Sequence, residues 1–259
     1  MADNLSPISI ARQLHQHNLF YFTPSILADL FSLDRRQAYR LSDRLKAEGL
    51  AAQGEKGKYV LLGLEPERVL SNPLFIATHL VAPSYVSYWS ALHFYGFTEQ
   101  VPLTVFVATT KKKRPVIFRD VRFRFVTVKP HKFFGYRRET VGELPVIVAD
   151  EAKAIIDSLD QPRYAGGITE IAKSLRAALD LDEVDTTTLV EYANRMEDRS
   201  LGSRLGYLLG RFGYPVEGII HSEGPGELDP ARPPAGPTDA QWQVVVNIPE
   251  DTMVPHGVG

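Results

Sequence analysis

Between Thr23 and Gly49 the chain carries two helix-start signals eleven residues apart, which sets two helices joined by a short turn. Thr23 precedes Pro24, a good N-cap followed by a proline at the first helical position. Ile26, Leu27, Leu30 and Phe31 then form an apolar stripe, and Ser32-Leu33 makes a short turn. Asp34 opens the second start, with Gln37 three residues on as in a capping box, and Gly49 closes the helix. With about 100° per residue, Ala38 and Leu45 lie within about 60° of Leu41, which defines a buried face. Arg36, Tyr39, Arg40 and Asp43 fall opposite, with Arg35 on the flank and Arg44 nearer the buried edge.

Ile8, Ala11, Leu14 and, less regularly, Leu19 suggest a short helix before this pair. After it comes AAQGEKGKYVLL, a tight turn over 54–57 leading into a strand from Tyr59 to Leu62. Helix, helix, turn, helix and a basic hairpin is the layout of a winged helix-turn-helix. In that motif the second helix of the pair enters the DNA major groove and its N-terminal residues reach the bases. An arginine fork can bridge guanine O6 and N7 or clamp a phosphate. The candidate DNA contacts are therefore Arg35, Arg36, Gln37, Tyr39, Arg40 and Arg44 on the helix, with Lys56 and Lys58 at the hairpin tip. The plainer alternative is a solvated charged helix in a module that binds only protein. Residues 1–64 hold eight basic and six acidic side chains, so phosphate contacts alone give limited, salt-sensitive affinity.

The net charge of −2 conceals a strong asymmetry. Residues 111–138 carry eleven Lys or Arg against the single acid Asp120, whereas residues 139–259 carry nine basic and 21 acidic. Lys111, Lys112, Lys113, Arg114, Arg122, Arg124, Arg137 and Arg138 form a candidate second basic surface, facing DNA or an acidic partner. Internal pairing with the acidic C-terminal half is the competing explanation. Phe133, Phe134 and Tyr136 are interleaved near its end and are expected in the core rather than stacking on bases.

Behind residue 64 the pattern becomes mixed. Residues 65–82 are expected to form a linker and a connecting helix from Asn72-Pro73. Pro83-Ser84 is expected to open a helix carrying Tyr85, Trp89, Leu92 and Tyr95. LTVFVATT, VIFRDVRFRFVTV as one strand or two, and LPVIVA follow as strands, with Val121, Phe123 and Phe125 facing away from Arg122 and Arg124. Asp150 caps a helix through Leu159, and helices over 168–179, 186–198 and 200–212 come next. EGPGELDPARPPAGPTD, within 223–239, is expected to be a flexible loop, WQVVVNI a last strand that rejoins the sheet, and the final residues frayed. The expected fold class is α/β (α+β), an N-terminal winged helix over 1–64 followed by a larger mixed domain over 83–259.

Composition removes several chemistries. The chain has no cysteine, so disulfides, thiolate metal sites and cysteine nucleophiles are excluded. MADNLSPISI lacks the basic and apolar runs of a signal peptide, and no apolar run approaches the ~18–20 residues that span a bilayer. A cytoplasmic protein without a membrane partner is expected. The seven histidines are scattered in no metal-ligand spacing, and His93, on a helix beside Trp89, is expected to be packed. No phosphate-loop or GxSxG motif is present. Asp150-Glu151-Ala152-Lys153 resembles part of a metal-dependent nuclease signature, but Glu151 and Lys153 would share the first turn of a helix and face different ways. No catalytic residue, metal site or cofactor is assigned.

Residues 83–179 resemble the AbiEi family of antitoxins from type IV toxin–antitoxin and abortive-infection systems. The resemblance is carried by SYVSYWSALHFYGFTEQVP, VFVATTKKKR and FRFVTVKPHKFFGYRRETVGELPVIVADEAKAIIDSLD, and the later YLLGRFG also fits. The winged helix stands where that family carries its DNA-binding domain. The resemblance implies a transcriptional autorepressor that binds operator DNA near its own promoter. Separately, the modest charge of residues 1–64 makes a homodimer on DNA, or help from the second domain, the expected way to raise affinity. The resemblance also implies a second domain that counters a nucleotidyltransferase-type toxin without necessarily touching it. That domain would be restriction-endonuclease-like without a catalytic site, and no cofactor is implied. The segment 223–239 carries no part of the resemblance. Two other functions remain open from the residues: a metal-dependent restriction-endonuclease-like nuclease with a winged-helix targeting domain, and a winged-helix protein-interaction module.

Overall fold

The computed structural model describes residues 6–249 and 252. The chain's last residues and His256 lie outside the described residues.

The first unit runs α1 (Pro7–Gln16), β1 (Tyr21–Phe22), α2 (Pro24–Phe31), α3 (Arg35–Ala47), β2 (Ala51–Glu55) and β3 (Lys58–Leu61). Ile10, Ala11 and Leu14 bury one face of α1, while Ile8, expected in that stripe, is 43% exposed. Thr23 Oγ1 accepts from the Ile26 N–H, and Ser32 ends α2 in the left-handed region at φ 51°. The capping box of α3 is complete. Gln37 N–H donates to Asp34 Oδ1 at 2.8 Å and Asp34 N–H donates to Gln37 Oε1 at 2.9 Å. Asp34→Ala removes both the acceptor and the reciprocal geometry. It is expected to lower stability by about 1 kcal/mol, read as a shift in the urea midpoint at unchanged slope. The strands form an antiparallel sheet in the order β1-β3-β2. β1 is two residues long, too short for any period to announce it.

The stretch expected as a linker is packed. α4 (Pro66–Leu70) and α5 (Pro73–His79) bury Val69, Phe75, Ile76 and Ala77. Phe20 of the first unit meets Phe75 and His79 edge-on at 4.9 and 5.6 Å. Asn72 caps α5 through Oδ1 while its amide donates to the Val141 carbonyl at 2.6 Å. One continuous apolar cluster therefore joins the first unit to the remainder.

The larger part is built on a six-stranded sheet of order β6-β7-β5-β4-β9-β8. Its strands are β4 (Ser84–Val86), β5 (Thr104–Thr109), β6 (Val116–Phe118), β7 (Val121–Thr127), β8 (Tyr136–Val141) and β9 (Leu144–Ala149). β5 and β7 are parallel, as are β4 and β9, and the other pairs are antiparallel. The helix expected from Pro83 is replaced by the central strand β4 and a short α6 (Trp89–Phe94). Tyr85 and Val86 are fully buried, both pair with β5 and Val86 also pairs with Val148 of β9, so tertiary context overrides the helical spacing of Tyr85, Trp89 and Leu92. VIFRDVRFRFVTV is two strands joined at Arg119-Asp120, both at positive φ, as a type I′ two-residue hairpin turn requires.

Behind the sheet come α7 (Glu151–Asp160), α8 (Ile168–Asp180), α9 (Thr186–Arg195) and α10 (Arg199–Arg211). Asp150, Asp185 and Asp198 cap α7, α9 and α10. The last stretch does not rejoin the large sheet. β10 (Gly226–Glu227), β11 (Thr238–Asp239) and β12 (Val244–Val245) form a small sheet of their own, in the order β10-β12-β11. Trp242 lies over Gly206 of α10, where a Cβ would come within 2.3 Å of the ring. The segment 223–239, expected to be flexible, is tied down: the Asn247 amide donates to the carbonyls of Asp229, Arg232 and Pro233. The fold class is α/β (α+β). Among the described residues, no helix is long and apolar enough to cross a membrane.

Candidate nucleic-acid interface

α3 is amphipathic in the sense a reading helix needs. Ala38, Leu41, Ser42 and Leu45 are buried, and Ser42 Oγ satisfies itself on the Ala38 carbonyl. Arg35, Arg36, Tyr39, Arg40 and Arg44 are all exposed. The Arg35 guanidinium lies 5.9 Å from the centre of the Tyr39 ring, which is 44% exposed. None of these arginines enters a salt bridge among the described residues, so their donors are not committed elsewhere. Gln37 differs from its expected role. Its carbonyl is held in the cap, which leaves only the amide NH2 for a ligand.

The hairpin tip separates two lysines that the sequence placed together. Lys56 is exposed, whereas Lys58 pairs with Glu55 at 3.3 Å. Glu55 is a hub, accepting also from Tyr21 Oη at 2.9 Å and Lys113 Nζ at 2.5 Å. Burial pushes the Glu55 carboxyl up, but the bonds from Lys113 and Tyr21 hold it below the ordinary carboxylate range.

The candidate second basic surface is divided in the same way. Lys113 is turned inward on Glu55, with 9% of its side chain exposed. Arg137 holds Glu151 with both terminal nitrogens and Glu139 with Nε. These two are corrections, because their charge is used in internal ion pairs. Lys111, Lys112, Arg114, Arg122, Arg124 and Arg138 remain exposed, with Arg124 5.3 Å from the Tyr164 ring centre. Phe134 is buried as expected, but Tyr136 is 43% exposed and stacks on Tyr85 at 5.0 Å. His93, expected to be packed, is exposed.

No family model matches the chain, and no curated protein matches it either. Its fold is similar to that in the crystal structure of the RV2827C protein from Mycobacterium tuberculosis. That likeness has a TM-score of 0.56 and covers 91% of this chain and 89% of the other. Identity across it is 13%, so what is shared is the fold.

The nuclease-like run takes up structural roles. Asp150 Oδ1 accepts from the Lys153 N–H and Oδ2 from Tyr192 Oη. Burial lifts the Asp150 carboxyl above its usual range, against those two bonds. Glu151 is held by Arg137, and Lys153 is fully buried on Asp157. Asp157 also accepts from Tyr85 Oη at 3.0 Å and Ser87 Oγ at 2.7 Å. A lysine sealed in this way does not reach a phosphate. Among the described residues, no three His, Asp or Glu side chains are grouped as metal ligands. The sequence did not single out Asp157, although its i,i+4 spacing from Lys153 was the available signal.

Proposed function

We propose that the chain is a DNA-binding transcriptional autorepressor and antitoxin whose first unit is a winged helix-turn-helix. The observation that carries the DNA-binding part is the exposed, unpaired arginine row of α3 over a buried Ala38-Leu41-Leu45 face. The element order and the sheet β1-β3-β2 support it, since they put a hairpin with exposed Lys56 beside that helix. Arg35, Arg36, Tyr39 and Arg40 read bases, and Arg44 and Lys56 hold phosphates. The antitoxin part rests on the AbiEi-like phrases of residues 83–179, and its partner is a nucleotidyltransferase-type toxin countered with or without contact. A homodimer on a two-fold operator would add the free energy of a second unit's phosphate contacts to the modest contribution of one unit. The nuclease alternative is disfavoured by the internal pairing of Glu151 and Lys153.

A reporter tests the repressor part. The DNA upstream of the chain's own coding sequence is placed before a reporter gene, and the protein is supplied in trans. Reporter output is expected to fall, and to recover with Arg36→Ala/Arg40→Ala. Output unchanged by the wild-type protein would contradict autorepression.

A further inference from the structure

Where the first unit meets the large sheet, two edge strands confront one another. β2 is an outer strand of the small sheet and β6 an outer strand of the large one. An open cleft of about 840 Å³ runs between them. Lys46 and Lys56 line one wall, and Arg119, at the tip of the β6–β7 hairpin, lines the other. All three are exposed, and none enters an ion pair among the described residues. Of the two acids that line it, Glu55 is already engaged by Lys113, Lys58 and Tyr21, while Glu67 is exposed. The Glu55–Lys113 bond also anchors the β5–β6 loop beside the hairpin. Lys111, Lys112 and Arg114, exposed on that loop, are thereby brought to the same seam.

We propose that this cleft and its flanking loop seat the phosphate backbone of duplex DNA as it leaves the groove read by α3. The proposal rests on the DNA-binding function above and extends the footprint from the first unit onto the large sheet. Lys46, Lys56 and Arg119 neutralise phosphates within the cleft, and Lys111, Lys112 and Arg114 prolong the track. Glu55, although it lines the cleft, has its carboxylate engaged by Lys113, Lys58 and Tyr21, and through Lys113 it ties the loop to the hairpin. Such contacts carry no sequence information; they add affinity through counterion release.

The test is the salt dependence of binding by the full-length chain to an upstream duplex of about three helical turns, between about 50 and 200 mM salt. Wild type is compared with the quadruple variant Lys111→Ala/Lys112→Ala/Arg114→Ala/Arg119→Ala, all at exposed positions. Each phosphate contact contributes about 0.9 to the slope of log K against log salt. The variant is expected to lose about 2–4 from that slope while keeping its preference for upstream over scrambled DNA. An unchanged slope with preference intact overturns the cleft proposal and leaves α3 recognition standing. Absence of duplex binding by the wild type overturns both.

Discussion

Arg36→Ala/Arg40→Ala is expected to weaken binding to the DNA upstream of the chain's own coding sequence by at least about 30-fold, at unchanged stability. Both side chains are exposed near the start of α3 and neither is paired, so their removal leaves the packed face untouched. A good bidentate contact to a base is worth ~1–3 kcal/mol of discrimination. Two such losses give at least the stated factor, since ~1.4 kcal/mol is tenfold. Scrambled DNA is expected to lose far less, because only the charge term is removed there. Competition binding in which both DNAs weaken equally would show that these arginines hold phosphates rather than read bases.

The largest stability effect is expected at the other end of the molecule. Asp157→Ala removes the partner of a fully buried Lys153 ammonium and the acceptor of the Tyr85 and Ser87 hydroxyls. Among the described residues the ammonium then retains the Met196 sulfur at 3.6 Å and the faces of Phe134 and Tyr85. Breaking a buried pair from one side costs about 3–5 kcal/mol. Urea unfolding reads it as a fall in midpoint at constant slope. Lys153→Met/Asp157→Asn is expected to recover most of the loss, because no charge is left buried and an amide oxygen still accepts from both hydroxyls. A loss under about 1 kcal/mol for Asp157→Ala would contradict the burial of this pair.

The first unit was legible because its signals are local. Thr23-Pro24, the Asp34/Gln37 capping box, the 38-41-45 stripe and Gly49 lie within one stretch, and each does in three dimensions what its spacing indicates. β4 was not legible. Tyr85 sits at helical spacing from Trp89 and Leu92, and the strand state comes from hydrogen bonds to β5 and β9, distant in sequence. The basic segment was half legible. The count of eleven cations is correct, but which of them are free depends on partners that no local rule reveals. Lys113 meets Glu55, 58 residues away, and Arg137 meets Glu151, 14 residues on. The cleft walls, Lys46 and Arg119, gave no sequence signal as a pair, because only the meeting of two edge strands brings them together.

Specific recognition by α3 is tested most directly by fluorescence anisotropy of the full-length protein on its upstream DNA and on scrambled DNA of equal length, at near-physiological salt. Clear preference for the upstream DNA, abolished by Arg36→Ala/Arg40→Ala, is the predicted result. Equal affinity for the two DNAs, or no binding to either, would contradict it.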